Sequence, residues 1–239
     1  MSFLSDLHEL SYEEWLNRYE APRSIDEWMA LKANSALGYY ASTPTTAIDA
    51  YGNTKLGENA LDSLPAGDGL RNVALGQASL SGLMLGNNNV AVGQEALLGL
   101  ADGSDNVAVG EEALMNLTEG VFNTALGDGA GKADGVTTIN SGLFLGRNAK
   151  PLEDGSDNEV VIGASVTGHG SNTTTIGNSS TTHTFVSGVV ILKSFTVAGL
   201  PTASSYTGGL VFVSNGTGNK RLAVSDGTNW RFPDGNVVS

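Results

Sequence analysis

Between Arg71 and Lys132 the chain carries no basic residue, while Glu95, Asp102, Asp105, Glu111, Glu112, Glu119 and Asp128 are all acidic. Paired carboxylates can cleave a glycosidic bond, one protonating the leaving oxygen while the other acts as nucleophile or base. That chemistry needs a cleft holding them about 5 to 10 Å apart. Here the acids recur at a fixed interval, as solvated turn positions do. The histidines are His8, His169 and His183, with no spacing suited to a metal and no Ser-His-Asp pattern. There is no cysteine, so neither a disulfide nor a thiolate-bound metal is available. Turns such as Gly103-Ser-Asp-Asn106 offer oxygen ligands to a divalent cation, but the Gly-Gly-x-Gly-x-Asp calcium repeat is absent. No Walker loop or dinucleotide fingerprint occurs, because the glycines follow a different rule. No catalytic, cofactor or metal site is expected.

The rule is repetition. Asn89-Val-Ala-Val-Gly93 returns as Asn106-Val-Ala-Val-Gly110, and Gln94-Glu-Ala-Leu97 as Glu111-Glu-Ala-Leu114. Related units end on glycines 57, 76, 93, 110, 127, 146, 163 and 177, at spacings of 19, 17, 17, 17, 19, 17 and 14 residues. Self-similarity at such a period marks a solenoid. Val90 and Val92 alternate with Ala91, and period-two alternation of β-branched residues makes a short strand. The glycine that follows suits a turn or a close backbone approach. Leu61, Leu80, Leu97 and Leu114 lie four residues past it, and Leu64, Leu83, Leu100 and Leu117 seven past it. That three-residue step predicts one helical turn pressing inward.

A coil this short cannot bury its apolar face alone. It must stack on the next, with strands in parallel ladders. At about 4.8 Å per coil, seven intervals give a rod of about 34 Å. The alanine face of Ala74, Ala91, Ala108 and Ala125 allows close backbone approach, as around a three-fold axis. It is read as a trimer contact, with Val73, Val90 and Val107 inside each chain, though a cramped coil interior would also favour alanine.

Composition agrees with an array of turns around small aliphatic residues. Glycine numbers 32, hydrophobic residues make up 40% and aromatics only 7%. The net charge of −13 argues against a nucleic-acid backbone as partner. No apolar run approaches the roughly 20 residues that cross a bilayer.

The Asn-x-Ala-Val/Ile-Gly-x-x-Ala-Leu repeat resembles the left-handed parallel β-roll heads of trimeric autotransporter adhesins, and the same repeats in bacteriophage tail fibres and spikes. The resemblance covers about residues 53–180. It implies a mainly β, left-handed β-roll in an intertwined homotrimer. The coil from 127 to 146 departs from it: Gly131 stands where leucine belongs, and a looped-out or capping coil is expected there.

The ends are read as favouring a virion protein. The opening residues carry Asp6, Glu9, Glu13 and Glu14, unlike a secretory leader, and no C-terminal membrane anchor is read. The ending, with Ser225-Asp-Gly-Thr-Asn-Trp-Arg231, resembles phage-fibre C-termini. Residues 1–40 hold two capping boxes, Ser11-Tyr-Glu-Glu14 and Ser24-Ile-Asp-Glu27, ahead of Trp15, Leu16, Tyr19 and of Trp28, Met29. They predict two short helices that need another surface for their aromatics, either as a cap on the solenoid or as a virion-attachment segment. Residues 41–52 read as a linker, 53–180 as the shaft and 181–239 as a β tip. In the tip, residues 183–200 predict two strands around Gly188, and Tyr206, Phe212 and Trp230 are the candidate receptor contacts, although clustered aromatics are more often core. The expectation is a non-enzymatic homotrimeric fibre on tail, neck or capsid, touching other virion proteins and a host glycan or protein. The alternatives are a bacterial surface adhesin fragment and a polysaccharide-degrading spike.

Overall fold

The structure is a computed structural model that describes residues 49, 51–65, 68–215 and 221–238. The expected helices of residues 1–40, with Trp15, Leu16, Tyr19, Trp28 and Met29, lie outside the described residues. The chain divides into two compact units, one ending at Thr182 and one running from His183.

The first unit is a parallel β-solenoid. Its strands are β1 (Thr54–Leu56), β2 (Val73–Leu75), β3 (Val90–Val92), β4 (Val107–Val109), β5 (Thr124–Leu126), β6 (Ile139–Asn140), β7 (Leu143–Leu145), β8 (Ser156–Asp157), β9 (Val160–Ile162) and β10 (Thr174–Ile176). Eight of them form one sheet in the order β1-β2-β3-β4-β5-β7-β9-β10. The register is a strict translation of the repeat: Val90 pairs with Val107, Ala91 with Ala108 and Val92 with Val109.

The strand faces lie opposite to the expected assignment. Ala74, Ala91, Ala108 and Ala125 are completely buried within one chain. The flanking Val73, Val90 and Val107 are half-exposed. An alanine methyl with no accessible surface in the single chain cannot touch a sister chain, so these four are not a trimer contact. The crowded interior explains them. Leu80, Leu83, Leu97, Leu100 and Leu114 are fully buried against the strands. They fill the coil from the turn side and leave room only for a methyl opposite.

Those leucines do not sit on a helical turn. Leu61, Leu80, Leu97 and Leu114 have φ between 50° and 53°, the left-handed region that interrupts a right-handed helix. Each coil makes successive tight turns instead, with Ala96 N–H donating to Gly93 at 3.4 Å, Leu98 to Glu95 at 3.2 Å and Leu100 to Leu97 at 3.2 Å. The left-handed residue costs roughly 1–2 kcal/mol. Burying the leucine returns about as much or more, and Leu97 N–H also donates to Ala113 on the next coil at 2.9 Å.

The repeat glycine is required by packing. Gly93 has φ 134°, and a Cβ there would lie 2.4 Å from the carbonyl oxygen of Gly110.

The 127–146 coil is neither a cap nor outside the sheet, because β5 pairs directly with β7. Phe144 occupies the alanine row and is fully buried. Gly131 replaces the leucine to make room, since a Cβ there would meet Leu114 at 2.5 Å and the Phe144 ring at 3.2 Å. The coil's greater length goes into a turn at 132–135, ahead of Thr138, which bridges Glu119 as Glu119 bridges Asp102; β6 then pairs with β8 in a short second ladder.

The second unit holds β11 (Ser194–Phe195), β12 (Leu210–Val213), β13 (Arg221–Ser225) and β14 (Trp230–Arg231) in one sheet. Its core is Ala203, Val211, Val213, Ala223, Trp230 and Phe232. The two strands expected around Gly188 are not formed, and only Ser194–Phe195 is a strand. An extended segment needs a ladder partner for its N–H and C=O groups, and among the described residues no strand of this unit pairs with residues 184–192.

Candidate interaction surface

The outward face of the solenoid sheet is built by the first and third residue of each strand. The third position runs from Leu56 to Ile176 with one aliphatic residue per strand; the first is Val or Leu except at Thr54, Thr124 and Thr174. None of these positions is charged, although the chain carries a net charge of −13. Leu56, Leu126 and Ile176 remain more than half exposed. The strip is two residues wide and eight strands tall. Contiguous exposed apolar surface of this kind marks an interaction site.

In the second unit, Phe185 and Ile191 are each 90% exposed and Val189 88%. Val186 and Val190 are also exposed. His183 stacks on Phe185 at 5.9 Å. Five large apolar side chains on ten residues of strandless chain give this unit an exposed apolar surface of its own.

The expected receptor contacts divide. Tyr206 is exposed and Phe212 half-buried, but Trp230 is buried and donates its indole N–H to the Pro201 carbonyl at 2.7 Å. Trp230 is therefore a core residue and not a receptor contact. The motif before it is a folding device. Asp226 accepts from the Asn229 and Thr228 N–H groups at 2.6 and 2.8 Å and pairs with Arg231. The Asn229 hydrogen bond, then the Arg231 guanidinium and the Thr228 hydrogen bond, bring its carboxyl down to about 2.

The stacking sets repeat-related acids side by side, with Asp102 and Glu119 as bridge partners on adjacent coils. Glu112 pairs with Lys132 at 2.7 Å, and Asp105 accepts from Asn88 at 3.1 Å. Among the described residues no three His, Asp or Glu side chains form a metal-sized group. His169 exchanges a hydrogen bond with Thr175 at 2.9 Å. Asp154 is drawn below the usual carboxylate range, chiefly by the N–H groups of Thr137 and Thr138. Among the described residues no helix is long and apolar enough to cross a membrane.

The buried polar row was missed by the reading of strands and turns. Asn53, Asn72, Asn89, Asn106 and Asn123 stack inside the solenoid, all buried. The Asn89 Oδ1 accepts from the backbone N–H and Nδ2 of Asn106 at 3.1 and 3.0 Å. The Asn106 Nδ2 also donates to the Gly120 carbonyl at 2.8 Å. The signal was present: an asparagine stands four residues before each of five glycines. The ladder stops where Gly142 has no side chain, and the next equivalent position holds a buried carboxylate, Glu159, accepting from Gly170 N–H at 2.7 Å.

Comparison with protein-family models, with characterised proteins and with solved structures finds no match to the chain.

Proposed function

We propose that the chain is a non-enzymatic structural fibre protein of a virion, assembled as a homotrimer through the aliphatic face of its solenoid sheet. The observation that carries the reading is that face: uncharged and repeating at the strand spacing of about 4.8 Å. A partner that meets it along its whole height must carry the same spacing, and a second copy of the chain does. The exposed apolar residues Phe185 to Ile191 support assembly as well, since sister segments in a trimer can supply each other's ladder partners. The repeat and the ending, which resemble phage fibres, support the virion assignment. In this reading residues 1–40 attach to the particle, with Trp15 and Trp28 among the anchors. Residues 181–239 form the distal tip, where Tyr206 and Phe212 are available to a host glycan or protein.

Val109→Glu tests the assembly. Val109 is half-exposed on the outward face, so the change leaves the interior of the coil untouched. Sedimentation equilibrium should give three times the 24.6 kDa chain mass for the wild type and a folded monomer for the variant. A monomeric wild type, or an unperturbed trimer in the variant, rejects the interface.

Virion membership has its own expected result. An antibody against residues 183–239 should label the free ends of appendages on purified particles in electron micrographs. Label at the particle body reverses the polarity, and particles without label remove the virion assignment while leaving the trimer standing.

A further inference from the structure

We propose that a groove on the side of the solenoid, opened by the long coil between Gly127 and Gly146, binds an acidic saccharide through Lys150. The inference needs neither the trimer nor the virion assignment.

That coil spans 19 residues where its neighbours on both sides span 17. In repeat proteins such insertions project on one face, often the binding face. Beside the turn at 132–135 lies an open groove of about 440 Å³, within the range of roughly 300–1,000 Å³ typical of small-ligand sites. Such sites are usually apolar, but here Ala133 is the single apolar residue on the walls. An apolar ligand would gain little. A ligand with many hydroxyl groups would find donors and acceptors on every side.

The walls are fixed by the stacking of coils. Asn148 N–H donates to Asp128 and Ser165 N–H to Arg147, both at 2.8 Å. Lys150 and Thr167 are bridge partners on adjacent coils, with Lys150 N–H on Val166 and Gly168 N–H on Lys150, both at 2.9 Å. Their side chains therefore stand in a row set by the coil spacing. Among the described residues, the side chains of Asn148, Lys150, Ser165 and Thr167 make no hydrogen bond or ion pair within the chain. A ligand can satisfy all four without breaking an existing bond.

Charge selects the class of saccharide. Of the two ammonium groups, that of Lys132 is neutralised by Glu112 at 2.7 Å, whereas Lys150 is exposed and in no ion pair among the described residues. The groove thus offers one uncommitted positive charge to a single carboxylate. A polyphosphate or nucleic-acid strand needs several cations, and Asp134 on the wall adds repulsion. A sugar acid places one negative charge on Lys150 and its hydroxyls on Asn148, Ser165, Thr167 and the wall carboxylates.

Isothermal titration of the full chain, in physiological salt, should compare glucuronate, sialyllactose, uncharged maltotetraose and inorganic phosphate. One or both acidic sugars should bind with one site per chain, and maltotetraose at least about tenfold more weakly, the loss of one charge-assisted hydrogen bond. Lys150→Gln should weaken the acidic sugar by about tenfold and leave the melting temperature unchanged. Ser165→Ala should weaken it less, and Lys193→Gln, in the other unit, not at all. No acidic sugar binding at about 10 mM, weaker than any useful affinity, overturns the proposal. So does equal loss in Lys193→Gln, which marks binding by net charge alone, or phosphate binding as tightly as the sugars, which marks an anion site without saccharide recognition.

Discussion

Ala108→Glu should leave no folded solenoid. Ala108 is completely buried, between Ala91 and Ala125 in register on the neighbouring strands. Glutamate would force a longer side chain into a close-packed interior, at about 1–3 kcal/mol for the excess volume alone. It would also bury a carboxylate with no cation in reach, at several kcal/mol more. A protein of ordinary stability, about 5–15 kcal/mol, does not survive that sum with margin. Coils stabilise one another only as neighbours, so the disrupted coil also uncouples those before and after it. Circular dichroism should show loss of β signal, or a melting temperature lowered by tens of degrees, in the isolated chain. The contrast with Val109→Glu is the informative part: adjacent residues on one strand, one change abolishing the fold and the other only assembly. Should Ala108→Glu instead melt like the wild type and merely lose its partners, the alanine row faces outward and the arrangement of faces described above is wrong.

Asn106→Leu should be nearly as damaging, although the two side chains are close in size and leucine is the more apolar. Asn106 accepts from the N–H and Nδ2 of Asn123 at 3.1 and 2.9 Å through one oxygen. Its own amide donates to Asn89 at 3.0 Å and to Gly120 at 2.8 Å. Leucine leaves the Gly120 carbonyl and both Asn123 donors without these partners in a site closed to water. Each orphaned buried group costs about 1–3 kcal/mol, so several kcal/mol are at stake. Denaturant unfolding should show the midpoint falling with little change in slope. A ladder of amides polarises along its length, so Asn72→Leu combined with Asn106→Leu should cost less than the sum of the two. If Asn106→Leu were neutral, the amide row would be an accompaniment of the fold and not one of its supports.

Several elements of this protein were legible in its residues because they are local or periodic. The glycine period sets the coil, and the Val-x-Val alternation sets strand position. Translation by one period fixes the register, as the pairing of Val90 with Val107 shows. Even the break at Gly131 was visible as a departure from the pattern. Its meaning was not, because the compensating Phe144 lies thirteen residues further on and the two meet only once the coil closes.

Which strand face turns inward was beyond the sequence for a related reason. Both faces are apolar, so alternation names two faces without ranking them. The choice is one of volume, set by the opposite wall: leucines from the turns fill the interior, and only a methyl fits against them. The left-handed backbone at Leu97 is of the same kind, since local preference opposes it and burial across the coil overrides it. The asparagines were plain as letters, but a buried amide ladder exists only when five coils stack. Trp230 stood in a motif that suited a binding surface and became core when Pro201, 29 residues earlier, came within 2.7 Å of its indole. The sequence by itself determined the repeat, the strands and where the pattern fails. Tertiary structure alone decided inside from outside, because that depends on what the rest of the coil has already filled.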